Sequence, residues 1–165
     1  MYMDRSDRDE VAPSAGRLVE DWLQVTSFVA EVDAGLGAWL AERHGVALTE
    51  YRALRNLSAA PEKELRVNEL ARRIGLNQSS VTRLLGRLEA KQLTRRETCF
   101  EDGRGVYAVI TEQGEALLDA AHEPFEGRIQ QILDQVRGDG LGVGSLALVR
   151  ALGRVDGLGP SAGAG

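Results

Sequence analysis

The sequence predicts a mostly α-helical α+β protein with one small β-hairpin and long helices near both ends. Apolar residues recur at helical spacing over residues 18–40 and again over residues 111–136. Between them, residues 69–74 and 78–92 each follow an asparagine that can cap a helix. Residues 94–110 then change to a strand-like pattern interrupted by glycines. We therefore expect helices around a hairpin and no large sheet.

Length and composition fit one ordinary folded domain with loose ends. The chain has 165 residues, of which 43% are hydrophobic and 27% charged, as in globular proteins. Residues 1–17 are expected to form a flexible arm, and the Gly/Ala-rich residues 157–165 a disordered tail. No apolar segment resembles a signal peptide or a membrane span, so we expect a cytoplasmic protein without a membrane partner. A single cysteine and two histidines argue against a disulfide, a metal site or a cofactor.

The first helix, Leu18 to Leu40, has two apolar stripes. One follows the spacing of three and four residues that is typical of coiled coils, and the other suggests that the helix needs cover on a second side. This pattern leaves two interpretations open, a helix buried within its own monomer and a helix that pairs with a second chain. The second stripe favours the partner. The two stripes are Trp22, Val25, Val29, Val32, Leu36 and Trp39, and Leu18, Leu23, Phe28 and Leu40.

A shorter helix is expected after the first one. Thr49 can cap it, because a threonine hydroxyl accepts a hydrogen bond from a backbone N–H that has no partner within the helix. The helix should run through Leu57, and the segment Ala-Ala-Pro-Glu at residues 59–62 should end it.

Two further helices separated by a tight turn are predicted in the centre of the chain. Asn68 can cap the first of them, over residues 69–74, and Gly75 provides the permissive backbone for a sharp exit. Asn77 can cap the second, which extends to about Gln92. Its apolar face consists of Val81, Leu84, Leu85 and Leu88.

A β-hairpin and two helices should complete the fold. The strands are Thr94 to Phe100 and Val106 to Ile110, joined by a turn rich in glycine and aspartate. Thr111 should start a long helix to about Val136, bent by its internal Pro124 and ended by glycines. A last helix is expected from Val143 to Val155.

Charge is unevenly distributed along the chain. The formal net charge is −5, but residues 66–104 carry +4 and the remainder −9. A basic segment in an acidic protein is expected of a local phosphate-binding face. A solvated helix surface would give the same charge pattern.

Helix, tight turn, helix and hairpin in this order predict a winged helix-turn-helix, in which one helix enters the major groove of DNA. The polar face of the second helix carries hydroxyls, an amide and arginines, which suit phosphate and base-edge contacts. Arg104, on a glycine-flanked hairpin tip, suits a narrow minor groove. The residues expected to contact DNA are Gln78, Ser79, Ser80, Thr82, Arg83, Arg87, Arg95 and Arg104.

The segment from Leu48 to about Ala121 resembles the MarR family of bacterial transcriptional regulators. The resemblance rests on LTEYRALRNL, then ELARRIGLNQSSVTRLLGRLEAKQL, then DGRGVYAVITEQG before a long helix. It implies a homodimer whose first and last helices interlock, here residues 18–47 and 112–156, around a DNA-binding domain of residues 48–111. It also implies binding to a pseudo-palindromic operator in double-stranded DNA and the role of a repressor.

The resemblance also implies roles for single residues. It places Arg83 and the hydroxyls near it in the major groove and Arg104 at the tip of the wing, with Asp102 bracing the wing. Gly103 stands where the family often has a second basic residue, which predicts a weaker minor-groove contact.

Many MarR regulators respond to a small phenolic or other lipophilic anion between the dimer helices and the DNA-binding lobe. The candidates for such a pocket here are Trp39, His44, Tyr51, Arg52 and Arg55. Each also has an ordinary interpretation, with Trp39 as a core residue, His44 as a helix-end residue and the two arginines as solvated charges.

Three other interpretations compete with a ligand-responsive DNA-binding protein. Cys99 in the hairpin could couple oxidation to DNA binding, although only Arg95 and Arg96 suggest the electropositive setting that a reactive thiol needs. A winged helix can also bind other proteins, but such a module has no need for both a basic helix face and a wing-tip arginine. An enzyme is the third, and the sequence offers no phosphate loop, metal-spaced cluster or nucleophile motif for it.

Overall fold

Five α-helices, one short 3-10 helix (Pro61–Lys63) and three short strands are found in the part of the chain that the computed structural model describes, residues 15–99 and 105–138. The helices are α1 (Ala15–His44), α2 (Leu48–Ser58), α3 (Val67–Ile74), α4 (Gln78–Ala90) and α5 (Glu112–Gly138). The strands are β1 (Glu64–Arg66), β2 (Thr94–Cys99) and β3 (Gly105–Ile110). The predicted fold class, mostly helical with a small hairpin, is confirmed.

The three strands form one antiparallel sheet in the order β1-β3-β2. The predicted hairpin is β2 and β3, in a register that pairs Thr94 with Ile110. The short strand β1 pairs Leu65 with Ala108 on the other side of β3. Strand β1 was not predicted, because its three residues are too few for a recognisable alternation.

Two predicted helix caps are wrong. Helix α2 begins at Leu48, so Thr49 lies inside its first turn. The Glu50 carboxylate instead accepts a hydrogen bond from the backbone N–H of Ala47 at 2.9 Å. Helix α3 begins at Val67 directly after β1, which leaves Asn68 inside the helix.

Other predicted helix ends are confirmed. Gly75 has a left-handed backbone with φ of 70° at the end of α3, where a side chain would be strained. The Asn77 side chain accepts a hydrogen bond from the Ser80 N–H at 2.9 Å and caps α4. The Thr111 hydroxyl accepts one from the Gly114 N–H at 3.1 Å at the start of α5. Helix α4 ends at Ala90, two residues before the predicted Gln92.

Several predictions for the chain ends fall on residues outside the described part. These are the arm over residues 1–14, the helix over residues 143–155 and the tail over residues 157–165. Residues 15–17, which the sequence assigned to the arm, belong instead to α1.

The chain divides into two units, one within residues 1–31 and 135–165 and the other within residues 32–134. In the second unit, helices α2, α3 and α4 bury leucines together with Leu40 from α1 and Ala108 and Ile110 from β3. A fully buried leucine contributes about 1.5–3 kcal/mol relative to an exposed one. This core therefore holds the helix-turn-helix against the sheet. Its largest fully buried apolar side chains are Leu40, Leu54, Leu57, Leu70, Leu84, Leu85, Leu88, Val46 and Val81.

In the described part of the first unit, α1 exposes much of its apolar surface. Phe28 is buried, but Trp22 is 64% exposed and Leu23 is 60% exposed, and Val19 and Val29 are exposed as well. Further along α1, Leu36 and Leu40 are buried. Each stripe therefore has an exposed member near the start of α1, Trp22 or Leu23, and a buried member near its end, Leu36 or Leu40.

Candidate nucleic-acid interface

Helix α4 presents one apolar and one polar face, as predicted. Val81, Leu84, Leu85 and Leu88 are each at most 1% exposed. Residues four and seven positions apart lie on one side of a helix, so Ser79, Arg83 and Gly86 form a stripe on the side away from the core. The structure describes no hydrogen bond or ion pair of the Arg83 side chain with residues 15–99 and 105–138. This guanidinium can therefore bind an external partner without breaking a contact within those residues.

The hydroxyls at the start of α4 are ordered by local hydrogen bonds. Ser79 donates to the Asn77 side chain at 2.9 Å, and Thr82 donates to the Gln78 carbonyl at 2.8 Å. A hydroxyl that donates one hydrogen bond still has lone pairs to accept another. The backbone N–H groups and the dipole of a helix N-terminus also attract anions. The first turn of α4 therefore suits a phosphate or the polar edge of a base.

A cleft of about 380 Å³ separates the start of α4 from the hairpin. Arg66 and Arg96 contribute cationic groups to it, and Asn68 contributes an amide. In the sequence, the two arginines were recognised only as part of the basic segment, with no contact assigned to them. Asn68 was predicted to cap a helix. The lining residues are Arg66, Val67, Asn68, Gln78, Thr82, Leu85, Arg96, Gly105 and Val106.

Both arginines of this cleft are held in place by neighbours. The Arg66 Nε donates to the Tyr107 hydroxyl at 3.0 Å, and the guanidinium lies 5.6 Å from the centre of that ring. Arg96 donates two hydrogen bonds to the Glu89 carboxylate, at 2.8 and 2.5 Å. The hydrogen bond from Arg96 holds the pKa of Glu89 below its ordinary value, against the raising effect of burial, and raises the pKa of Arg96. The pair is therefore charged at neutral pH.

The other predicted DNA contacts differ in their surroundings. Ser80 is partly buried in the first turn of α4. The Arg87 Nε lies 3.2 Å from the Glu50 carboxylate, and Arg95 on β2 pairs with Glu97 at 2.6 Å. Helix α4 thus carries Gln78, Ser79, Ser80, Thr82, Arg83 and Arg87, whereas Arg95 lies on the hairpin.

The predicted hairpin tip falls outside the described residues, and with it Asp102 and Arg104. Cys99 is the last residue of β2, opposite Gly105, but its side chain is outside the described part. The redox interpretation of Cys99 thus stays a prediction.

A second cavity, of about 320 Å³, lies between α1, α2 and α5 within residues 32–134. Three predicted pocket residues, Tyr51, Arg52 and Arg55, line it. Burial raises the pKa of the Tyr51 phenol, partly offset by the Arg55 charge. The phenol is therefore neutral at physiological pH. The lining residues are Leu36, Leu48, Tyr51, Arg52, Arg55, Asn56, Phe125 and Ile129.

The other two predicted pocket residues pack beside this cavity. The Trp39 ring lies 5.1 Å from the His44 ring and 6.1 Å from the Phe125 ring, and Tyr51 lies 4.6 Å from Phe125, measured between ring centres. Trp39 and His44 thus belong to an aromatic cluster, and Phe125 connects this cluster to the cavity. Sequence analysis counted Phe125 only among the apolar residues of α5.

Within residues 15–99 and 105–138, no three His, Cys, Asp or Glu side chains are grouped so that they could hold a metal ion. No helix in the same part of the chain combines the length and the apolar character needed to cross a membrane.

Known proteins share both the sequence pattern and the fold. The sequence model of the MarR family matches residues 44–105. Sco3205, a MarR family transcriptional regulator from Streptomyces coelicolor solved in complex with DNA, is 24% identical with a TM-score of 0.69, over 93% of this chain and 94% of that one. A mutant of MarR from E. coli complexed with operator DNA is 18% identical with a TM-score of 0.66, over 88% and 99% of the two chains.

A third similar structure contains a small molecule. Rv2887, a MarR family protein of Mycobacterium tuberculosis in complex with salicylic acid, is 23% identical with a TM-score of 0.56, over 90% of this chain and 98% of that one. At these identities the structures show a shared fold, and the family model adds the matching sequence pattern across the helix-turn-helix. Taken together, the family-model match over residues 44–105 and the winged-helix fold confirm the resemblance of this chain to the MarR family of transcriptional regulators.

Proposed function

We propose that this protein is a homodimeric transcriptional regulator, most simply a repressor, that binds a pseudo-palindromic operator in double-stranded DNA. The observation that carries the proposal is the outer face of α4. It combines the Arg83 side chain, which has no partner within the described residues, with ordered hydroxyls at the helix start. Two more arginines, Arg66 and Arg96, line the cleft between the start of α4 and the hairpin. An arginine that is free to rotate can bond a guanine edge bidentately, and a helix of this kind fits the major groove.

The proposal assigns DNA binding to residues 48–111 and dimerisation to residues 18–47 and 112–156. Its proposed DNA contacts are the α4 residues and Arg95 named above, with Arg104 at the wing tip and Asp102 supporting the wing. The solved complexes of Sco3205 with DNA and of the MarR mutant with operator DNA support this assignment by their shared fold. Because chromosomal DNA is the proposed partner, the proposed site of action is the cytoplasm, and the role is binding and not catalysis.

Dimerisation is supported by the exposed apolar side chains of α1. Val19, Trp22 and Leu23 are spaced so that they share one side of the helix, and all three are exposed in the single chain. A contiguous apolar surface of this kind usually marks an interface. A second copy is its proposed occupant, since two recognition helices are needed to read two half-sites.

The test is selection of bound sites from a pool of random duplex DNA by the purified full chain. We expect enrichment of a two-fold symmetric sequence with half-sites about one helical turn apart, roughly 10 base pairs between centres. Inserting about five base pairs between the half-sites should abolish tight binding. Failure to enrich any sequence at low salt would refute the proposal, and enrichment of unpaired half-sites would refute the dimer.

A small aromatic anion is proposed as the effector, and the cavity between α1, α2 and α5 as its site. Tyr51 and Phe125 offer aromatic faces there, and Arg52 and Arg55 offer positive charge. The salicylic acid complex of Rv2887 supports this class of ligand. Arg52 is paired with Asp33 at 2.7 Å, so Arg55 is the proposed partner of the carboxylate.

Repeating the selection with millimolar salicylate tests the effector. We expect weaker retention of the operator by the unaltered chain and no effect of salicylate on Arg55→Ala. The matched control is Arg43→Ala, which removes an equal charge from the exposed end of α1. An identical salicylate response in Arg55→Ala and in the unaltered chain would remove Arg55 from the site.

A further inference from the structure

A buried carboxylate connects α2 to the recognition helix α4. Glu50 is only 1% exposed. Its Oε2 accepts hydrogen bonds from the Ala47 N–H at 2.9 Å and from the Lys91 Nζ at 2.6 Å, and its Oε1 lies 3.2 Å from the Arg87 Nε. The Lys91 ammonium also donates to the Gly45 carbonyl at 2.8 Å. One side chain thus joins the loop before α2, helix α2 itself and the last turn of α4.

The charges in this cluster favour an ionised carboxylate. Burial alone would raise the pKa of Glu50, but the hydrogen bonds from Lys91, Ala47 and Arg87 and the Lys91 charge bring it below its ordinary value of 4.5. A buried charge that lost these partners would be strongly unfavourable. Glu50 therefore keeps the Arg87 and Lys91 side chains close to it at neutral pH.

The geometry leaves most of Arg87 available to a ligand. Its side chain is 55% exposed although its Nε is bonded to a carboxylate that is 2% exposed. A guanidinium has five N–H donors, and within the described residues only the Arg87 Nε–H is given a hydrogen-bond partner, so four donors are left for a ligand. Arg87 lies one turn beyond Arg83 on α4 and is adjacent to it on the helix surface.

From these contacts we propose that Glu50 is a positioning residue for DNA binding. It fixes the stem of Arg87 so that the outer edge of the guanidinium is held ready for a phosphate. The inference rests on the proposed DNA-binding function and deepens it, because it makes an acidic side chain necessary for binding an acidic polymer. Glu50 itself touches no DNA, and an arginine whose rotamer is already fixed loses less entropy on binding.

The direction in which DNA affinity changes when Glu50 is replaced distinguishes this proposal from a purely electrostatic effect. Removing a negative charge from a DNA-binding domain should strengthen binding to phosphates if charge alone matters. If Glu50 positions Arg87, its removal should weaken binding. Glu50→Gln keeps the size of the side chain and an oxygen for the Ala47 N–H, but it places an amide N–H₂ group among donors. Glu42→Gln, on the exposed surface of α1, makes the same change of charge and is the matched control.

The experiment measures the dissociation constant of the full-length chain for its selected operator over a range of salt concentrations. Glu50→Gln should weaken binding about tenfold and lower the salt slope by about one, while Glu42→Gln binds as tightly as the unaltered chain or more tightly. Arg87→Gln should show the same loss and slope as Glu50→Gln. The double variant should lose no more than either single variant, because both changes remove one contact. Thermal unfolding followed by circular dichroism checks that each variant is folded at the binding temperature.

Each other outcome overturns the proposal. Binding by Glu50→Gln as tight as that of the unaltered chain would show that Glu50 does not position Arg87, and tighter binding would show that only its charge matters. A double variant that loses the product of the two single effects would make Glu50 and Arg87 independent, as would an unchanged salt slope in Glu50→Gln. If the unaltered chain selects no duplex DNA, the proposed function fails and this inference fails with it. Normal operator binding with an unaffected Glu50→Gln variant refutes this inference alone.

Discussion

Glu50 should make the folded state sensitive to acid. A carboxyl group whose pKa is lower in the folded than in the unfolded chain stabilises the fold above its unfolded pKa, and that contribution is lost as pH falls through the folded pKa. For Glu50 the loss begins near 4.5 and continues below it. The positive groups that face the carboxylate are Lys91 and Arg87.

This gives a prediction for unfolding by urea between pH 6 and pH 3. The free energy of unfolding should be higher in the unaltered chain than in Glu50→Gln at pH 6, and the difference should shrink as pH falls below 4.5. Glu89, whose pKa is also lowered, contributes with the same sign in both proteins and cancels in the comparison. A difference that stays constant down to pH 3 would mean that Glu50 is not ionised in the folded chain.

Arg83 gives the most direct test of base recognition. Replacing it with alanine removes a side chain that has no partner among the described residues, so the fold should lose little stability. If Arg83 bonds a base edge, binding to the operator should weaken by about 1–3 kcal/mol and the preference at one base pair should relax. Competition binding with operators altered at single positions measures both effects, with Arg43→Ala as the charge control. An equal loss for all sequences would make Arg83 a phosphate contact.

Single residues also show the limits of reading helix ends from sequence. Asn77 and Gly75 were predicted correctly, because each meets a need within its own turn of the chain. By residue type, Thr49 and Asn68 were equally suitable as helix caps. At the start of α2, however, the Glu50 carboxylate accepts the backbone hydrogen bond, and strand β1 directly precedes α3. Strand β1 forms only because it pairs with β3, and β3 is distant from it in sequence. Capping preference alone does not reveal such partners.

At the scale of elements, two glycines of helices α4 and α5 should respond in opposite ways to alanine. A Cβ atom on Gly86 would meet no atom within 4 Å. Because alanine restricts the unfolded chain and favours a helix, Gly86→Ala should raise the free energy of unfolding by about 0.5–1 kcal/mol. Urea denaturation of the DNA-free protein measures this. A loss of stability would show that the outer face of α4 is covered within the protein itself.

Gly114 in the first turn of α5 is predicted to tolerate no side chain. A Cβ there would collide with the backbone carbonyl of Leu93 and lie 2.7 Å from the Ile110 Cγ1. Backbone cannot move aside as the end of a flexible side chain can, so Gly114→Ala should destabilise the protein by about 1–3 kcal/mol. The same urea measurement tests it, with Gly86→Ala as the comparison. Unchanged stability would mean that α5 can shift away from the hairpin.

Elements with a long apolar repeat could be predicted from the sequence. Features that form only when distant segments come together could not. The spacing in α1, α4 and α5 and the glycine-bounded hairpin gave the correct fold class. Strand β1 exists because β3 offers it a free edge, and the cleft exists because α4 and the hairpin come together. The arginines of that cleft, Arg66 and Arg96, therefore could be counted as basic but not located from sequence.

At the scale of the whole molecule, the apolar side chains of α1 differ in exposure between the start and the end of the helix. Leu36 and Leu40 are buried, as in a core helix, whereas Trp22 and Leu23 are exposed, as in a helix awaiting a partner. A buried helix and a helix that pairs with a partner show the same spacing of three and four residues. The sequence therefore could not locate the change from exposed to buried side chains. Charge is also distributed unevenly over the molecule, since residues 66–104 carry +4 and the rest of the chain −9. The acidic remainder should discourage DNA from binding elsewhere on the protein.

Dimerisation through α1 predicts a change of assembly without a change of fold. Trp22→Glu places a charge on an apolar surface that is exposed in the single chain, so it should leave the monomer folded and block pairing with a second copy. Gln24→Glu adds the same charge to an exposed position nearby and is the control. By sedimentation at micromolar concentration, we expect dimers of the unaltered chain and of Gln24→Glu and monomers of Trp22→Glu. Trp22→Glu should also bind the full operator no more tightly than a single half-site, because two linked half-site contacts gain affinity only when one assembly makes both. A Trp22→Glu protein that stays dimeric would place the interface elsewhere, and an unaltered chain that sediments as a monomer would refute the dimer itself.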